Sequence, residues 1–196
     1  MTIKVYSEGI VYGLMESKKA GETILEETDR LSDLVTDLLY IAKIDNITTF
    51  YKTEKTDLVK LVKECAVRQQ AIADKKQIVF AFDFNESSII YECVIELISR
   101  AIDNLISNAI RYATSKITVS CNKAGSNITI RVADDGNGID PEALPHVFER
   151  FYKGKGGNTG IGLAIVKSIA DQHKGNINAE NKGDGGAVFT LTLPIT

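Results

Sequence analysis

Ile128-Thr129-Ile130-Arg131-Val132-Ala133-Asp134-Asp135-Gly136-Asn137-Gly138-Ile139 reads as an alternating strand that ends in a carboxylate and a glycine turn. Ile128, Ile130 and Val132 recur at every second residue, the period of a strand with one face buried. Gly136 and Gly138 let the chain turn sharply and pass close to a planar ring, where a Cβ would collide. A carboxylate on the floor of such a pocket can accept the exocyclic amine of an adenine. Guanine presents a carbonyl there, so a charge-assisted bond of roughly 1.5–3 kcal/mol would favour ATP over GTP in a pocket of that kind. The plainer alternative is an Asp-Gly-Asn-Gly hairpin turn. A calcium loop is excluded, because Gly136, Gly138 and Ile139 fall where oxygen ligands are required.

Outward from this strand the pattern is mixed. Residues 116–122 and 127–133 are strands joined through Lys123-Ala-Gly-Ser126 as a hairpin, and residues 92–113 before them have the period of a helix. Residues 77–84 carry the β-branched and aromatic content of a buried strand, and residues 176–181 and 187–193 form a last hairpin around Gly183-Asp-Gly-Gly186. Helices are expected over about 57–73, capped by Asp57 or Thr56, and over 160–173. Strands pairing mostly as hairpins, with the helices kept together, imply an α+β two-layer sandwich.

Three further segments carry side chains suited to a nucleotide. Asn104-Leu105-Ile106-Ser107-Asn108 places two carboxamides on one helix face, and Arg111 and Tyr112 continue that side. A neutral amide oxygen suits Mg²⁺ already held by a triphosphate, because it fills an octahedral position without adding negative charge. Two Asn residues cross-bonding within the fold is the competing reading. Gly160-Ile161-Gly162-Leu163 opens a helix, whose free N–H groups and dipole offer an anion site. It lacks the Gly-Lys-Ser/Thr of a Walker A loop and the third glycine of a dinucleotide fingerprint. Lys153-Gly-Lys-Gly-Gly-Asn-Thr159 has the composition of a lid ordered by its ligand, with Lys153 or Lys155 either meeting phosphate or merely solvated. Phe148, Phe151 and Tyr152 precede it as an expected aromatic cluster, either core anchors or a hinge for the lid.

With 196 residues, 44% hydrophobic and 25% charged, the chain has the composition of a globular protein. A net charge of −3 gives no reason to expect nucleic acid. No apolar run is long enough to span a bilayer, so no membrane contact is expected from these residues. Cys65, Cys93 and Cys121 are too far apart for metal-ligand spacing and lie in apolar patterns, as reduced core thiols that suit a cytosolic compartment.

Residues 22–45 form one long amphipathic helix with Ile24, Leu31, Leu34, Val35, Leu38, Ile41 and Ala42 on its stripe. Lys18-Lys-Ala-Gly21 interrupts the pattern, and Ile3, Ile10, Val11 and Leu14 mark a preceding antiparallel helix. Two such helices leave the stripe uncovered. A dimeric four-helix bundle completes it, or else packing on the chain's own globular part. The expected organisation is therefore a helical dimerisation hairpin at 1–46, a linker and first strand at 47–55, with Thr48 to Thr53 extended, and the nucleotide domain at 56–196.

Taken together, the segments from Asn104 to Tyr112, from Asp134 to Ile139, from Phe148 to Tyr152 and from Gly156 to Leu163 resemble the N, G1, F and G2 boxes of sensor histidine kinases. The resemblance extends over nearly all of the chain and places it in the GHKL ATP-binding superfamily. It implies ATP and Mg²⁺ as ligands, with Asn108 on the metal, Asn104 in support and Arg111 near the phosphates. Tyr112, Asp134, Gly136, Gly138, Ile139, Phe148, Tyr152, Lys153, Gly160, Gly162 and Leu163 would line the nucleotide. It implies further a homodimer through the hairpin, a response-regulator receiver domain as partner, and a cytoplasmic location with a membrane-anchored parent.

The family's phosphoacceptor His, in a His-Glu-x-x-x-Pro setting, is not found. The two histidines are His146, after Pro145 and expected at the surface, and His173, where a cation would suit a helix end. Ile3-Lys-Val-Tyr-Ser-Glu-Gly-Ile10 resembles the sequence that follows the acceptor, so the chain reads as a kinase core cut after its H box, unable to phosphorylate itself. A GHKL anti-sigma-type Ser kinase would share the boxes without needing the hairpin. A non-catalytic nucleotide-binding dimerisation module would show decay at Asn108, Asp134, Gly160 or Gly162.

Overall fold

The computed structural model describes residues 2–45, 52–153, 159–183 and 185–195. Its centre is a mixed sheet of five strands, β2 (Val79–Phe84), β4 (Lys116–Ala124), β5 (Asn127–Asp134), β6 (Asn176–Asn181) and β7 (Ala187–Pro194), in the order β2-β4-β5-β7-β6. Only the β2–β4 pair is parallel; β4–β5, β5–β7 and β6–β7 are antiparallel. The helices α3 (Leu58–Lys75), α4 (Ile95–Tyr112) and α5 (Gly162–Gln172) supply the second layer. This is the expected α+β two-layer sandwich, preceded by a helical hairpin.

The sheet's inner face follows from alternation. Ile128, Ile130, Val132 and Asp134 of β5 are all buried, so Asp134 is the last member of a row that otherwise holds only aliphatic side chains. Against that face α4 presents Ile98, Ile102, Leu105, Ile106 and Ala109, and α5 presents Ile165, Val166 and Ile169. The three cysteines are free and buried in this core, and burial pushes the thiols up, Cys65 and Cys93 to about 11 and Cys121 to about 12.

The start of the expected helix at 92–113 departs from the sequence expectation. Residues 90–93 are a strand, β3 (Ile90–Cys93), and not the first turn of α4. They pair antiparallel with β1 (Glu54–Asp57), and the alternation of exposed Ile90 and Glu92 with buried Tyr91 and Cys93 overrides their helical period. Asp57 caps α3 as expected, its Oδ1 accepting from Val59 N at 3.0 Å; the same oxygen accepts from Ile89 N at 3.2 Å, tying the strand pair to the helix. The expected strand from Thr48 to Thr53 falls largely outside the described residues, and Lys52 and Thr53 belong to no regular element.

The hairpin is α1 (Thr2–Val11) and α2 (Ser17–Asp45), so Lys18-Lys-Ala-Gly21 lies inside α2 and does not break it. Lysine and alanine are good helix formers, and the turn is made instead at Gly13, whose φ of 67° ends α1 as only glycine does at little cost. The C-terminal half of α2 packs on the sandwich through Leu34, Tyr40 and Ile41, and Asp37 pairs with Arg100 of α4. Leu31, Val35 and Leu38 of the expected stripe stay exposed, as do Leu25 and Leu39 beside it, which leaves an apolar face of α2 uncovered within one chain. Among the described residues no helix is long and apolar enough to cross a membrane.

Candidate functional site

A cleft of about 950 Å³ opens where the helix layer leaves the end of β5 uncovered, between α4, the start of α5 and the segment 134–147. Asn104, Asn108, Arg111, Tyr112, Asp134, Gly138, Ile139, Tyr152, Lys153, Gly160, Gly162 and Leu163 all line it. Four sequence segments that are far apart in the chain therefore converge on one surface.

Asp134 forms the floor and is 4% exposed. Its Oδ1 accepts from Gly136 N at 2.9 Å and from Ala187 N at 3.3 Å. Oδ2 receives no hydrogen bond among the described residues. A buried carboxylate with one oxygen pinned and the other turned to a cleft is set to accept a donor from a ligand.

The two carboxamides of α4 differ. Asn104 donates to Arg100 O at 2.9 Å, and a Cβ on Gly162 would lie 2.9 Å from its Oδ1, so Asn104 is wedged between α4 and the start of α5. Asn108, one turn on, makes no hydrogen bond among the described residues and faces the cleft. Helix α5 starts at Gly162 with no side-chain cap, so its first N–H groups are open to an anion. The preceding Thr159 is buried and its Oγ1 accepts from Ile161 N, which fixes the approach to the helix. No cluster of His, Cys, Asp or Glu among the described residues holds a metal by itself.

The glycines are dictated by protein contacts. A Cβ on Gly136 would stand 2.1 Å from the carbonyl oxygen of Tyr112, and one on Gly160, at φ 72°, 2.6 Å from that of Tyr152. Gly136 thus locks the loop under the end of α4 and does not line the cleft. The ends of the expected lid are tied by Phe151 N donating to Gly160 O at 2.8 Å; Lys155 and the other residues 154–158 lie outside the described residues.

The expected aromatic cluster does not form. Phe148 meets Phe189, a residue of the cleft lining, edge-on at 6.3 Å, Phe151 is exposed, and Tyr152 lies against His146 at 5.8 Å. Val147 takes the lining position instead. The φ of 67° at Phe151 reverses the chain there and separates the rings. Glu149 pairs with exposed His146 at 2.7 Å. His173 ends α5 as expected; burial pulls its pKa down, against a hydrogen bond to Ile169 O that raises it, which disfavours the charged form there.

Two contributors had no sequence signal. The β6–β7 turn, read only as a turn, places Asn181 against the backbone of Ile139 and Ala187 N on Asp134. Asp135 accepts from Thr114 N, Ser115 N and Ser115 Oγ, the last at 2.6 Å, and so fixes the floor to the end of α4. Burial pushes the Asp135 carboxyl up, but the Ser115 hydroxyl and the N–H groups of Ser115, Lys116 and Thr114 outweigh it and hold it well below the carboxylate range. A depressed folded pKa contributes stability above the unfolded value that is lost as pH falls towards the folded one. The urea midpoint of the wild type should therefore fall more steeply than that of Asp135→Asn between about pH 5 and pH 2.

A mixed sheet backed by three helices, with an acid at a strand end facing an Asn-bearing helix and a glycine-started helix, defines an ATPase domain. Residues 93–196 match the histidine kinase-, DNA gyrase B-, and HSP90-like ATPase family, and the chain belongs to it, as the catalytic ATP-binding domain of a sensor histidine kinase. It is 34% identical over 185 residues to the sensor-like histidine kinase SenX3 of Mycobacterium tuberculosis, a match covering 90% of this chain and 45% of SenX3. The chain thus spans about half the length of that relative. Among solved structures, the Acinetobacter baumannii histidine kinase AdeS superposes with a TM-score of 0.81 at 26% identity, covering 99% of this chain and 93% of that one. Histidine kinase ThkA, in complex with the response regulator protein TrrA, gives 0.81 at 25%, covering 100% and 58%.

Proposed function

We propose that this chain binds Mg-ATP and presents its γ-phosphoryl group to a histidine imidazole on an acceptor helix outside residues 1–196, for onward transfer to a response-regulator aspartate. The observation that carries the reading is Asp134, buried, held through one oxygen and open to the cleft through the other. That oxygen accepts the adenine amine, and the backbone from Gly138 to Ile139 forms the wall beside the ring. The triphosphate runs between α4 and the uncapped start of α5, within reach of Arg111 and the α5 N–H groups.

Asn108 suits a Mg²⁺ ion held mainly by phosphate oxygens, since its amide is uncommitted and uncharged. When bound, the ion neutralises charge on the β- and γ-phosphates. The chain's own contribution is positioning: Asn104 spaces α4 from α5, and Asp134 fixes the purine end. In the transfer, an imidazole nitrogen lone pair forms the N–P bond while the bond to the bridging oxygen breaks, and ADP leaves. The exposed stripe of α2 supports a homodimer, and the location is the cytoplasm.

Neither histidine has the His-Glu-x-x-x-Pro setting of the family's acceptor: His146 lies in a surface turn with Glu149 against its Nδ1, and His173 is packed at the end of α5 with its Nδ1 on Ile169 O. With γ-labelled ATP the chain alone should stay unlabelled. A longer histidine kinase that keeps its acceptor His but carries a disabled ATP site should become labelled when this chain is added. Stable label on this chain, or none on the partner, overturns the proposal.

A further inference from the structure

The segment that walls the purine end is not held by its own backbone. Residues 136–139 make no backbone–backbone hydrogen bond among the described residues, and Gly138 has a φ of 75°. Ile139 is held instead by one side chain, Asn181 at the end of β6. Asn181 Oδ1 accepts from Ile139 N, and Asn181 Nδ2 donates to Ile139 O, both at 2.6 Å. The carboxamide thus replaces a missing strand partner, satisfying both polar groups of one residue. The assignment of oxygen and nitrogen follows from those two partners, since the reverse would set donor against donor and acceptor against acceptor. A Cβ on Gly138 would lie 2.7 Å from Asn181 Oδ1, so a glycine is needed for the two segments to approach.

We propose that Asn181 is a positioning residue for nucleotide binding, clamping the Gly138–Ile139 backbone at the distance from Asp134 that an adenine ring requires. The inference rests on the nucleotide reading above and deepens it. Gly138, Ile139 and Asp134 line the cleft whereas Asn181 does not, so it acts only through Ile139. The same β6–β7 connection supplies Ala187 N to Asp134, so one turn sets both the floor and the wall of the purine end. Because Asn181 is exposed and outside the core, its substitution spares the fold.

The test is calorimetric titration of Mg-ADP into the wild type, Asn181→Ala and Asn181→Asp, with thermal unfolding of each. The aspartate keeps the shape and the acceptor but offers no proton to Ile139 O at neutral pH. Both variants should bind about ten-fold more weakly: the alanine loses both hydrogen bonds to Ile139, and the aspartate loses one and sets a carboxylate oxygen against the Ile139 carbonyl. The factor by which Mg²⁺ strengthens ADP binding should match the wild type, which places the loss at the purine end. In the nucleotide-free wild type, amide exchange at Ile139 should be slow beside that at Asn137; this measurement needs no variant. Folded variants that bind within two-fold of the wild type, or fast exchange at Ile139, overturn the clamp alone. A wild type that binds no Mg-ADP overturns the nucleotide reading and the clamp with it.

Discussion

Asp134→Ala should weaken Mg-ADP binding by about a hundred-fold, the largest effect expected of any single substitution in the cleft. The substitution removes a charge-assisted bond to the adenine amine, worth roughly 1.5–3 kcal/mol, and also strips Gly136 N and Ala187 N of their shared acceptor. Asp134→Asn is the more informative variant. Those two N–H groups demand an acceptor at Oδ1, so the new amide nitrogen must occupy the Oδ2 position and face the purine. Adenine offers a donor there and is opposed; guanine offers a carbonyl and is accepted. The ratio of ADP to GDP affinity should therefore fall by well over ten-fold, and by more than ADP affinity falls in Asp134→Ala relative to GDP. An ADP dissociation constant unchanged in Asp134→Ala would remove the adenine assignment, and an unchanged purine preference in Asp134→Asn would place the 6-position of the base elsewhere.

The contrast between Asp134 and Asn181 shows where sequence reading stops. Asp134 was legible because an alternating strand and a glycine turn are local patterns, and a carboxylate in the buried register of β5 conflicts with its aliphatic neighbours Ile128, Ile130 and Val132. The two-layer fold was legible for the same reason, each strand and helix having its own period. Asn181 lies 42 residues from the Ile139 backbone it holds, and an asparagine before a glycine turn carries no mark of a distant contact. The strand at Ile90–Cys93 is not legible, and its last two residues read as the start of a helix at about Glu92, because its partner, Glu54–Asp57, is four residues long and has no apolar alternation of its own. Gly136 answers to a contact that no local pattern carries: the Cβ it lacks would strike the Tyr112 carbonyl, which only the packing of α4 over the loop reveals. Phe148 and Phe151, grouped by proximity in the sequence, part in the fold: Phe148 meets Phe189, 41 residues on, while Phe151 sits at a backbone reversal and is exposed.

Asn108→Ala should separate metal from nucleotide. Asn108 makes no hydrogen bond among the described residues, so shortening it strands no buried partner and the thermal midpoint should stay within about 2 °C of the wild type. Binding of ADP without Mg²⁺ should likewise hold within two-fold, since the purine contacts at Asp134 are intact. What should disappear is most of the gain in affinity that Mg²⁺ confers, and trans-phosphorylation of an acceptor should fall by about a hundred-fold, the order expected when one protein contact to a catalytic ion is lost. Asn104→Ala provides the complement. Its amide is bonded to Arg100 O and packed against Gly162, so its loss should lower the thermal midpoint and weaken nucleotide binding whether or not Mg²⁺ is present. If instead Asn108→Ala weakens Mg-free and Mg-bound ADP equally, Asn108 contacts the nucleotide and not the ion, and the neutral-amide argument for magnesium fails at this position.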